Sequence, residues 1–269
     1  MKFSMHLRTA SPQYLRKADE IVIEYRDRKI IMDCAKKYPQ AWYVLEIAPG
    51  TPWDLDEVNE AYILSKERLT VCVPDIHDPR IVELKEKNIP FFWGFTITSF
   101  WELSAVIDMG VSEVRIGAPI FFECNKLQTF DIPKRIKANL AHEGYLPNID
   151  GIIGSWIRPE DVWFYEDTFQ LIEFAGCQDQ QEEALFRIYA EQQHWPGRMD
   201  MIIKNIKTEA YNRMILEEFA VARKNCGQQC LTGDECKICY RILNLAQPDK
   251  IREYVSAEKS QLVEEEKHI

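Results

Sequence analysis

The sequence predicts an α/β protein whose main part is a TIM-type (β/α)8 barrel, followed by a helical, cysteine-rich appendage. Three observations carry this. Eight short apolar runs alternate with helical patterns, and their starts recur at about 20-residue intervals except for one longer gap before the seventh. The 269 residues suit a single barrel, a fold of roughly 250 residues. No glycine-rich phosphate loop follows the first strand, as an open dinucleotide-binding sheet would ordinarily show.

The expected strands are KFSMHL (2–7), EIVIEY (20–25), WYVLEI (42–47), LTVCVP (69–74), PFFWGF (90–95), EVRIGA (113–118), GIIGSW (151–156) and LIEFAG (171–176). Each is rich in β-branched or aromatic residues. The clearest helix is SFWELSAVIDMG (99–110), with Ser99 as cap, Glu102 completing a capping box and Gly110 as stop. DLDEVNEAYILSKE (54–67) is a second amphipathic segment. The predicted division is a barrel over 1–178 and C-terminal helices over 179–269, where QQEEALFRIYAEQQHW, a long helix from Met199 and a last helix after Pro248 follow one another.

Cys226, Cys230, Cys236 and Cys239 lie within fourteen residues, spaced C-x3-C-x5-C-x2-C. Thiolates this close in sequence can converge on one metal, and Gly227 and Gly233 permit the turns required. Zinc in a closed four-thiolate site is the first expectation, with an iron–sulfur cluster on the same donors as the alternative. Reduced cysteines or disulfides in a helical hairpin form the plainer reading. Cys34, Cys72, Cys124 and Cys177 are scattered in apolar surroundings and read as unpaired thiols.

A net charge of −10 argues against a general nucleic-acid surface, since phosphate binding needs clustered Lys and Arg. No apolar run is long enough to span a membrane and the N-terminus lacks a signal-peptide core. A reducing, cytoplasmic setting is expected.

In a barrel, active groups lie at the C-terminal ends of strands. Those positions hold His6 and Arg8, Glu24 and Arg26, Glu46, Asp75 and His77, Thr96 and Thr98, Arg115, Ser155 and Arg158, and Glu173. Glu46 suits a general base or a partner for Arg115. Asp75 and His77 suit metal binding or proton transfer, or a polar loop in which Asp78 caps the next helix. Arg115 suits an anionic substrate group, or burial against Glu24 or Glu46. Arg158 could point into the barrel mouth. His6 shares a strand face with Ser4 and Arg8, and that face could be the lumen. No nucleophile elbow, P-loop or zincin motif is present.

SWIRPEDVWFYED (155–167), then LIEFAG (171–176) and a helix bearing Tyr189, resembles the collagenase-like peptidase family (U-thirty-two). TSFWELSAVIDMGVSEVRIG shows a similar strand–helix–strand rhythm. The resemblance implies a barrel, and an activity among peptidase chemistry and oxygen-independent hydroxylation of transfer RNA or quinone precursors, with iron–sulfur members. This chain departs from the family: the usual cysteine-bearing segments before the W-I-x-P-E-D motif are missing, and Cys177 stands where the family has Arg. The expectation is therefore a barrel enzyme, metal- or iron–sulfur-dependent, acting on a small molecule or nucleoside. The alternative is a non-catalytic barrel with a structural zinc site that binds a protein partner.

Overall fold

A computed structural model of the chain describes residues 1–117, 120–137 and 161–174, together with Glu183, Phe186, Arg187, Tyr189, Ala190, Lys224 and Cys226. Eight parallel strands form one sheet: β1 (Lys2–His6), β2 (Glu20–Glu24), β3 (Trp42–Glu46), β4 (Leu69–Val73), β5 (Phe91–Trp93), β6 (Val114–Arg115), β7 (Lys134–Lys137) and β8 (Leu171–Glu173). Their order is β5-β4-β3-β2-β1-β8-β7-β6, so β1 pairs with both β2 and β8. The ends of this order meet through backbone bonds on either side of a gap. Ser112 N donates to Phe91 O at 2.8 Å, and Ile97 N and Gly117 N exchange bonds with Arg115 O and Ile97 O at 2.8 and 3.0 Å. The sheet therefore closes into a (β/α)8-type barrel.

Helices α1 (Pro12–Leu15), α2 (Ile31–Lys37), α3 (Leu55–Leu64), α4 (Arg80–Glu86), α5 (Phe100–Asp108), α6 (Cys124–Leu127) and α7 (Val162–Tyr165) fall between the strands. The cap expected at Ser99 is present: its hydroxyl accepts from Glu102 N at 3.2 Å, while the Glu102 carboxylate accepts from Thr98 N at 3.0 Å. Gly110 ends that segment at φ +74°, where glycine carries no Cβ penalty. Asp54 caps α3, accepting from Asp56 N and Glu57 N at 2.8 and 3.1 Å.

The seventh strand differs from the sequence expectation. It is Lys134–Lys137, which pairs with β6 on one side and β8 on the other. It occupies the long gap that the rhythm of starts left open; the segment 151–156 lies outside the described residues. The physical reason is its composition. KRIK has one apolar residue, because Lys134 is buried with its ammonium on the carbonyls of Phe130 and Ile132 and Arg135 points into the barrel.

Strand alternation sorts side chains into two interiors. Met5, Ile21, Ile23, Tyr43, Leu45, Val71, Phe91, Ile136 and Ile172 belong to the large core between sheet and helices. Val22, Val44, Cys72 and Phe92 form a separate small cluster inside the barrel. The rest of the lumen is ionic. Glu20 on β2 meets Arg135 on β7, strands separated by β1 and β8, so their contact crosses the interior. Phe186 and Tyr189, from the C-terminal part, are buried against Phe174 with ring centroids 5.9 and 5.6 Å away. Residues on both sides of the division expected at 178 thus share a core.

Removing the Arg135 guanidinium leaves Glu20 and Glu113 without their cation and Glu173 with Arg115 alone, so Arg135→Met should cost about 3–5 kcal/mol in urea unfolding. Ser4 is fully buried, and its hydroxyl has no hydrogen-bond partner among the described residues. Ser4→Ala should therefore leave the urea midpoint unchanged or raise it.

Candidate active site at the barrel mouth

Inward-facing charged residues form tiers along the barrel axis. At the N-terminal end, Arg135 meets three carboxylates through four hydrogen bonds and one further ion-pair contact. Nε reaches Glu113 at 3.1 Å, Nη1 reaches Glu20 at 3.1 Å and Glu173 at 2.6 Å, and Nη2 reaches Glu20 at 2.9 Å and Glu113 at 2.6 Å. Its guanidinium lies 4.2 Å from the centroid of the Phe92 ring. In the next tier, Glu173 accepts a bidentate pair from Arg115, Nε at 2.8 Å and Nη2 at 3.0 Å. Arg115 Nη1 also donates to Gly94 O, at the seam between β5 and β6.

These contacts set the protonation states. Burial opposes ionisation of Glu173, but Arg115 and Arg135 outweigh it and hold its carboxyl down to about 2. Burial pushes the Glu113 carboxyl up to about 6, against the pull of Arg135 and with the help of the neighbouring Glu20 charge. Burial also raises the Cys72 thiol to about 12, which keeps it a protonated packing group.

The uppermost tier opens to solvent. His6 Nε2 lies 3.8 Å from Glu46 Oε2, with the Glu46 side chain 38% exposed. The neighbouring His6 imidazole lowers the Glu46 pKa, burial opposes it, and the charge of Arg115 adds to the lowering. Beside the pair, Arg8 binds Asp27 in a fork, Nε at 2.6 Å and Nη2 at 2.9 Å, while Arg26 Nε meets Glu24 at 2.5 Å.

The residues singled out from sequence thus separate. Glu46 and Arg115 both reach the lumen, one tier apart. Arg115 is paired with Glu173, not with the Glu24 or Glu46 that its sequence context suggested. Asp75 and His77 are exposed on the loop after β4, and the Asp75 carboxylate accepts from His77 N at 2.9 Å, a local turn bond. Asp78 receives Arg80 N at 3.0 Å and the Arg80 guanidinium. No group of three or more His, Cys, Asp or Glu suited to a metal occurs among the described residues. Arg158, Cys230, Cys236 and Cys239 lie outside those residues. Of the cysteine group, only Cys226 is described, packed against the large core. Two residues earlier, Lys224 Nζ binds the Asp167 carboxylate at 2.9 and 3.0 Å and Phe164 O at 2.7 Å. Asp167 lies between α7 and the first residue of β8, at the N-terminal end of the barrel, opposite the mouth.

Sequence reading missed Glu20, Glu113 and Arg135. A signal was present: charged residues sit two apart from other lumen positions in EIVIE, EVR and KRIK, the spacing of one strand face.

Fold and site together define a parallel (β/α)8-type barrel protein with an ionic lumen. No family model matches the chain, and no curated protein matches it. Among solved structures it is similar to native KDPGal, at 11% identity over 71% of this chain and 94% of that one, with a TM-score of 0.45. It is also similar to a glycerol uptake operon antiterminator-related protein from Thermotoga maritima, at 12% identity over 69% and 98%, with a TM-score of 0.41. The barrel assignment rests on the strand pairing of this chain itself. No helix among the described residues is long and apolar enough to cross a membrane.

A depressed carboxylate pKa contributes stability that is present above the ordinary value of about 4.3 and is lost as pH falls through the folded value. Glu46→Gln should therefore flatten part of the acid limb of stability against pH in urea unfolding. An unchanged limb would mean that the His6–Glu46 contact is absent in solution.

Proposed function

We propose that this protein is a barrel enzyme acting on a small polar molecule or nucleoside at the C-terminal mouth, with His6 and Glu46 as its proton-transferring pair. The observation that carries this is their contact, 3.8 Å apart at the open end of the lumen. An imidazole beside a carboxylate kept ionised can take a proton from substrate and return it. Glu46 orients and stabilises the protonated imidazole, and Arg115 beneath it favours the charged carboxylate.

Within this reading the chain is a divergent relative of the collagenase-like peptidases without their peptidase chemistry, since no nucleophile accompanies the pair among the described residues. The four C-terminal cysteines take zinc as a structural staple. The anchorage of Lys224 supports this over redox service at the mouth. Cys226 lies within about 7 Å of Lys224 along the chain, and Lys224 is bound at the opposite barrel end. Chemistry needs reacting groups within roughly 3–3.5 Å.

One observation favours a non-catalytic barrel acting in partner binding. The donors of Arg115 that would face an anionic substrate are engaged by Glu173 and the Gly94 carbonyl.

Turnover of a panel of small carbonyl compounds and nucleosides, followed by NMR in deuterated water, decides between the two. Wild type should turn over or exchange a proton of at least one compound. His6→Asn and Glu46→Gln should each lose about 100-fold or more while unfolding at the same urea concentration as wild type. Silence across the panel, or activity indifferent to both substitutions, refutes the enzyme reading. Metal analysis should find one colourless zinc per chain, lost in Cys236→Ser. A brown, iron- and sulfide-containing protein would replace zinc with a cluster.

A further inference from the structure

Residues at the starts of the strands ring a cavity of about 350 Å³ at the end of the barrel opposite the mouth. That volume lies in the range of small-molecule pockets, roughly 300–1,000 Å³. Trp42 forms its aromatic wall. The indole shares the inward face of β3 with Val44 of the small lumen cluster, yet Trp42 is 46% exposed. Thr70 on β4 is the register partner of Val44. It therefore lies on the same face, one strand over and one step further in, and it too lines the cavity. The Thr70 hydroxyl makes no hydrogen bond among the described residues.

Charge around this cavity balances. Arg135 meets Glu20 and Glu113, and Arg115 meets Glu173. Asp19 sets a fourth carboxylate against the ammonium groups of Lys2 and Lys134. Four carboxylates thus face four cations. Lys134 has its ammonium on the carbonyls of Phe130 and Ile132, and Lys2 is exposed to water at the rim. A ligand charge of either sign would enter a partly buried space without a countercharge. What the cavity offers instead is an open indole face and an unengaged hydroxyl.

We propose that this cavity binds a small neutral aromatic carboxamide, its ring against Trp42 and its carbonyl oxygen accepting from the Thr70 hydroxyl. A planar ring stacks offset on an indole face. An amide brings a polar carbonyl without net charge. Its N–H groups face the side of Glu20, the register neighbour of Trp42 on β2, whose carboxylate oxygens each accept more than one hydrogen bond.

Proton–nitrogen correlation NMR of the full chain with benzamide tests the site, read at the indole signal that Trp42→Phe removes. A saturable shift of that signal is expected, with a dissociation constant of about 1 mM or lower. Benzoate and benzamidinium have the same shape and opposite charges, and each should bind about tenfold more weakly or worse. Thr70→Val removes the hydroxyl from a half-buried side chain and should weaken benzamide about fivefold. Trp42→Ala should weaken it about tenfold or more, both variants being read on the ligand's own signals. His6→Asn at the mouth should leave binding unchanged. If Trp42→Ala does not fold, Thr70→Val and the charged analogues decide. An unmoved Trp42 signal overturns the assignment, as does benzoate or benzamidinium binding as tightly as benzamide. Undiminished binding by a folded Thr70→Val, or loss of binding in His6→Asn, overturns it equally.

Discussion

Arg135 organises the lumen of this barrel. A guanidinium in contact with three carboxylates ties β2, β6, β7 and β8 together across the interior, where an apolar barrel would use interdigitated aliphatic side chains. The geometry is directional. Four hydrogen bonds and an ion-pair contact from one planar group fix where Glu20, Glu113 and Glu173 sit, and Glu173 in turn fixes Arg115. A buried ion network is weak evidence for stability in itself, because desolvation offsets much of the attraction. Its contribution is better understood as position: charges in a low-dielectric space must be matched, so the strands carrying them have one mutual register.

The network also grades the electrostatics along the axis. Glu173, between two arginines, stays ionised. Glu113 is pushed up by burial. Glu46, near His6 and above Arg115, is lowered. Three glutamates of the same intrinsic acidity are thereby given different behaviour by their burial and their neighbours. The two ends of the barrel differ accordingly: His6 and Glu46 meet near solvent at the mouth, and Glu20 and Glu113 meet Arg135 at the other end.

The barrel was legible in the sequence because most strands are apolar runs of β-branched and aromatic residues, and two helices carry plain caps at Asp54 and Ser99. The seventh strand was not legible. Its lumen residue is Arg135 and its first residue is the buried Lys134, so it lacks the apolar signature by which strands are recognised. Glu46 and Arg115 were found by their position at strand ends. Their partners were not, because which inward residue meets which depends on the stagger of strands far apart in sequence. Asp75 and His77 formed a persuasive local pair, but a carboxylate two residues before a backbone N–H more readily closes a turn than a site.

The seam between β5 and β6 has a topological meaning. These strands contribute three and two residues, and between the flanking backbone bonds a side chain, that of Arg115, takes the Gly94 carbonyl that a continuous ladder would have used. Every other neighbouring pair is joined by a ladder. Parting this one line would unroll the cylinder into an ordinary eight-stranded parallel sheet with every ladder intact. The closed and open architectures of parallel α/β proteins are thus separated, in this chain, by a few backbone bonds, Arg115 and the contacts Arg135 makes across the lumen.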